Sequence, residues 1–156
     1  MWNCVLFRAL RTAALAVAFL WSAAWAGDLN SIGSYANNGV ETNIFTYKEG
    51  DTVVALIGMH QGDLRISYAF AKSDWPDFER LWNAARSAGG SSKFVAAGSV
   101  PETGTKAKCV ITAAGGPNVR LIIVDPSEGA ILFDLPPGVE GDFDAKLRQA
   151  AAQLTD

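Results

Sequence analysis

Between residues 64 and 70, Leu64, Ile66, Tyr68 and Phe70 alternate with Arg65, Ser67 and Ala69. Strand side chains point to opposite faces in turn, so this period of two predicts a strand with one face on a core. Ile131, Phe133 and Leu135 repeat that phase later in the chain. After each run the period changes. Phe78, Leu81, Trp82 and Ala85, and then Phe143, Leu147, Ala150 and Leu154, recur at three- and four-residue spacing, the stripe of an amphipathic helix. Ser73 or Asp74 can cap the first helix, and Pro76 suits a first turn, where its missing N–H has no partner to lose.

Upstream of each alternating run lie residues 53–59 and 119–124, apolar at nearly every position, as in a central strand covered on both sides. Residues 41–47 and 106–112 are rich in β-branched, aromatic and other strand-forming side chains and predict further strands. Turns are expected at 48–51 and 113–118, and hairpin connections at 60–63 and 125–129, where Gly, Asp, Pro and Ser gather. Residues 31–35 and 94–100 predict an additional short strand before each set.

The two sets look like one unit written twice. Placing each residue over the one 65 positions later matches Gly33, Ser34, Gly39, Gly50, Val54, Leu56, Ile57, Ile66, Asp77, Phe78 and Ala85 with identical residues. Those 11 identities over positions 33–85 exceed the roughly three or four that average residue usage gives by chance. The expected fold is therefore α+β: two tandem ββββα repeats, or βββα if the leading strands are lacking. They would span about 29–90 and 94–154 and form pseudo-twofold antiparallel sheets, with one helix laid over each apolar face. Residues 87–93 form the joint. This element order resembles that of the PUR-alpha and Whirly nucleic-acid-binding proteins; the resemblance is in element order alone, with no motif of either family, and implies no activity.

The first 26 residues predict a cleaved signal peptide. Arg8 and Arg11 precede the apolar run 13–21, and Ala24-Trp25-Ala26 gives a small-x-small cleavage pattern before Gly27. The whole apolar stretch past Arg11 is about 15 residues, shorter than the roughly 20 needed to span a bilayer. A periplasmic or secreted single domain, 27–156, is expected, with no stable membrane insertion after cleavage.

Removing Arg8 and Arg11 leaves eleven basic and sixteen acidic residues, a net charge of about −5. Phosphate backbones are bound by neutralising positive charge, so nucleic acid is disfavoured as a partner. Cys109 alone survives cleavage, which excludes an internal disulfide framework and points to a buried thiol at the position matching Ile44. His60, the single histidine, falls in a predicted hairpin connection and reads as a turn residue. Neither metal-ligand spacing nor a P-loop is present, so no metal, cofactor or catalytic residue is assigned.

The remaining candidates are surfaces. If Ile66, Tyr68, Phe70, Ile131, Phe133 and Leu135 face the helices, Arg65, Ser67, Leu132 and Asp134 face the other way. The central strands add Ile57 and Met59 to that second face, with Arg120 and Ile122 in the second copy, subject to strand phase. Apolar positions interrupted by single charges are unlike a fully solvated face, so a protein contact is expected there, most simply a homodimer. Trp75, matched by Glu140, is either a local gap filler beside Pro76 or a partly exposed contact residue. The resulting reading is an exported, non-enzymatic binding or protein-interaction domain. Its alternatives are a small periplasmic enzyme with a site assembled from dispersed polar residues, and polymer or nucleic-acid binding on the sheet face.

Overall fold

The computed structural model describes residues 27–87, 94–99, 107–113 and 119–155; the predicted leader, the joint and the 114–118 turn lie outside them. Two antiparallel sheets and two helices make an α+β fold. The first sheet contains β1 (Asp28–Asn37), β2 (Val40–Glu49), β3 (Thr52–Gln61) and β4 (Leu64–Phe70), in that order, and α1 (Trp75–Ser87) follows. The second contains β5 (Phe94–Ser99), β6 (Lys108–Ala113), β7 (Val119–Asp125) and β8 (Gly129–Asp134), again in chain order, followed by α2 (Glu140–Ala151). No helix among the described residues is long and apolar enough to cross a membrane.

The leading strand β1 is twice as long as the expected 31–35 segment. It turns into β2 through Asn38 and Gly39, both with positive φ (50° and 77°). This is the two-residue hairpin chemistry that matches strand twist. A register shift between Ser31 and Gly33 bends β1 midway.

Pairing decides which residues share a face. Opposite one another on the first sheet stand Ile44, Ile57 and Tyr68, next to Thr42, Met59 and Ile66. All six are buried, and their face looks into the main core. On the second sheet, Ile111, Leu121 and Phe133 form the equivalent row, beside Cys109, Ile123 and Ile131. One contiguous cluster joins these faces to Phe78, Leu81, Trp82 and Ala85 of α1 and to Phe143, Leu147 and Ala150 of α2, with Leu154 just beyond it. Both helical stripes are therefore buried as their periods require.

Two expectations are corrected here. Ile57 and Met59 do not belong to the second face; each is fully buried on the core face. The cause is turn length. β3 and β4 are joined by the two residues between Gln61 and Leu64, whereas three separate Asp125 from Gly129 in β7–β8. The extra residue shifts β7 by one position relative to an ungapped match, and a one-residue slip in a strand reverses its faces. The structural counterpart of Ile57 is thus Leu121, and Ile122 points outward. Asp125 holds the longer turn: its Oδ1 accepts from the backbone N–H of Ser127 (2.8 Å) and of Glu128 (3.2 Å) and from the Ser127 hydroxyl.

The second correction concerns the helices. Each was expected over the sheet of its own half. Instead α1 lies against β5 and β6, and α2 lies against β1 and β2. Only the start of α1 stays at home, where Phe78 stacks on Phe70 with ring centroids 4.8 Å apart. An amphipathic stripe requires a cover but does not name it, and two similar apolar faces satisfy it equally.

Candidate functional site

The outer faces of the two sheets differ. On the first sheet, Phe45, Tyr47, Val54, Leu56 and Ala69 form a second apolar cluster, all buried, with Leu29 and Ala71 packed against it. Toward the other end this face becomes polar: Glu41 stands opposite His60, and His60 opposite Arg65. His60 lies within β3, one residue before its end, rather than in the turn. Its Nε2–H donates to the Gly62 carbonyl oxygen at 2.5 Å, which leaves Nδ1 3.9 Å from the Glu41 carboxylate. Arg65 is exposed, on the outer side as expected.

On the second sheet, Val110, Ile122 and Leu132 form one row across β6, β7 and β8. Neither helix covers it. Leu132 is 40% exposed, the one exposed large hydrophobic residue among those described, and Ile122 is half-buried. Beside the row, Arg120 donates from Nε and Nη2 to the two Asp134 carboxylate oxygens, at 2.6 and 2.9 Å. This two-pronged pair fixes both side chains flat along the sheet and leaves their charges mutually neutralised. At the other flank lies Val124, paired with Lys108 and Ala130. The structure thus brings Arg120 and Ile122 together, keeps Arg65 on a different sheet, and withdraws Ile57 and Met59 into the core.

Trp75 joins neither face. Its ring stacks on Phe70 and Phe78 at centroid distances of 5.9 and 6.0 Å, extending the aromatic column that includes Tyr68. It is a partly buried packing residue. Cys109 is fully buried in the core, and burial pushes its thiol up to about 12. A thiol in that state is not a nucleophile near neutral pH.

Unforeseen in the sequence is the polar seam between the helices. Trp82, fully buried, donates its indole N–H to Asp144 at 2.7 Å. Asp144 also meets Arg86 and Arg148, each at 3.2 Å, and Arg148 reaches on to Glu79. Burial works to raise the Asp144 carboxyl, but the indole hydrogen bond and the two guanidinium groups outweigh it and hold it below the usual carboxylate range. An indole within an apolar stripe, where the second helix has Leu147, was the available signal, since a buried Trp N–H needs an acceptor. A second polar link joins Tyr35 of β1 to α2: its hydroxyl donates to Asp142 at 2.8 Å, and its ring lies 4.9 Å from that of Phe143. Burial, then the hydrogen bond and charge of Asp142, raise the Tyr35 hydroxyl well above its ordinary range.

These groups join the two helices to each other and β1 to α2, while the row on the outer face of the second sheet runs from buried Val110 through half-buried Ile122 to exposed Leu132. No family model, curated relative or solved structure matches this chain.

Proposed function

We propose that the chain is an exported, non-enzymatic protein-interaction domain, and that its contact surface is the outer face of the second sheet, most simply used by a second copy. The single observation that supports this is the apolar row Val110–Ile122–Leu132, buried at Val110, half-buried at Ile122 and exposed at Leu132, beside a charge pair already neutralised within the chain. Apolar area of this kind gains when water is removed from it, and the paired Arg120 and Asp134 lower the penalty of covering charge. Sedimentation velocity of the chain beginning at Gly27 tests the reading. Association should be present at high concentration and fall at least tenfold in affinity in Leu132→Asp. A wild type that stays monomeric, and that captures no partner through this face, overturns it.

Export rests on the leader pattern of residues 1–26 and is tested by the N-terminal sequence of secreted material, expected to start at Gly27. We also read the two halves as copies of one ββββα unit. The same element order, the reciprocal helix packing and the identities at an offset of 65 support this, with turn-length differences absorbing the local shifts.

A further inference from the structure

The contacts between the halves share one property: each joins a residue before the joint to a residue after it. Besides the seam of Trp82, Arg86 and Glu79 with Asp144 and Arg148, Tyr35 bonds Asp142. Asn37 donates from Nδ2 to the Asp134 carbonyl oxygen at 2.7 Å. The Thr46 hydroxyl reaches Gln153 at 3.3 Å, and the Val53 N–H donates to the Thr155 hydroxyl at 2.8 Å. The apolar core is likewise common property, since α1 lies on the second sheet and α2 on the first. None of these contacts depends on the covalent path through residues 88–93. That path is short and reads Ala-Gly-Gly-Ser-Ser-Lys.

We infer that two copies of this chain can exchange halves, the first half of each folding against the second half of the other, to give a dimer held by the interface seen here within one molecule. A half on its own would leave its sheet without a helix and its helix without a sheet, so each half has strong selectivity for a complementary half and no means of distinguishing its own. The tether decides which is used. A short tether of Gly- and Ser-rich composition sets an effective concentration in the millimolar range, so dilute chains close on themselves and concentrated refolding chains compete with that closure. Once formed, the exchanged dimer reverts slowly, because reversal breaks the whole shared core. The outer row of the second sheet stays free in both forms, so this inference does not depend on the proposed contact surface.

The test uses two single variants of the full chain, Glu79→Cys and Arg148→Cys, chosen because these side chains meet across the helix seam and are partly exposed. Equal amounts are unfolded, mixed, refolded at about 10 µM and at about 1 mM, spanning the tether's effective concentration, and treated with a short bismaleimide. The double variant Glu79→Cys/Arg148→Cys is the internal standard, with Tyr35→Cys/Asp142→Cys as the replacement pair if the first does not cross-link within one chain. The expected result is a cross-linked pair of different chains, at least tenfold more abundant at the higher concentration and absent when folded monomers are mixed without unfolding. Failure to find that pair while the standard cross-links internally overturns the inference. So does its formation from folded monomers, which would place the contact between surfaces. Leu132→Asp added to both chains should leave the exchanged pair unchanged.

Discussion

The Trp82 indole N–H and the Asp144 carboxylate meet at 2.7 Å across the two helices, joining residues 62 positions apart in a part-buried polar contact. Each helix covers the other half's sheet, so this bond locks the reciprocal arrangement at its centre. Asp144→Ala should lower stability by about 1–3 kcal/mol, the usual range when a buried donor loses its acceptor. Denaturant unfolding measures it. Trp82→Phe, which removes donor and demand together, should be the milder change.

The same carboxylate predicts an acid response. Its pKa is depressed in the folded protein, so its contribution to stability is fully present above the unfolded value of about 4. That contribution is lost as pH falls through the lower, folded value. Melting temperatures of wild type and Asp144→Asn should differ at about pH 6 and converge as pH falls below the carboxyl's depressed folded value. A difference that persists unchanged in acid would refute the assignment.

Thr42 is fully buried between Tyr35 and Met59, and its hydroxyl has no hydrogen-bond partner among the described residues. Thr42→Val should therefore be neutral or stabilising by up to about 1 kcal/mol, because an unpaired buried hydroxyl carries its desolvation penalty without compensation. A loss of more than that, read from the unfolding midpoint, would mean the hydroxyl is satisfied in solution.

Ile57 and Ile122 occupy matching positions in the sequence and opposite faces in the fold. Ile57→Asp should unfold the protein, since an aspartate there is a charge buried without a partner. Ile122→Asp should leave far-ultraviolet circular dichroism native and weaken self-association. The reverse pattern would restore the ungapped match.

Cys109 should react with thiol reagents only as fast as the protein opens. Burial and the raised thiol pKa both suppress attack. Labelling in native buffer should be at least a hundredfold slower than in denaturant, followed by mass spectrometry.

Much of the fold was legible. Ile66, Tyr68 and Phe70 alternate legibly because their face meets the main core while Arg65 and Ser67 on the other face stay exposed or half-buried, and the stripes Phe78–Ala85 and Phe143–Leu154 are buried as their spacing implies. Residues 53–59 gave no phase of their own: Val54 and Leu56 enter one apolar cluster, Ala55, Ile57 and Met59 the other. With both faces apolar, the phase of this strand stayed open in the sequence, and pairing with β4 across the two-residue turn sets Ile57 and Met59 inward. The length of β1 was readable from Asn38-Gly39, a strong hairpin signal. On the candidate surface, Leu132 and Asp134 followed from alternation, and pairing places Ile122 and Arg120 beside them. Helix exchange was not legible, because burial patterns specify that a face is covered and leave the covering element open.

The turn from Asp125 to Gly129 has a consequence for how such a surface arises. A hairpin loop acts as a parity switch: adding one residue exchanges the interior and exterior alphabets of the strand beside it. Ile122 faces solvent although an isoleucine in the same aligned position elsewhere is sealed inside, so a side chain made for a core stands available on the outside without any change of its own. An apolar side chain can therefore reach an outer face through an insertion in a loop remote from it. Shortening that loop would, by the same parity, withdraw Ile122 and turn Leu121 and Ile123 out in its place.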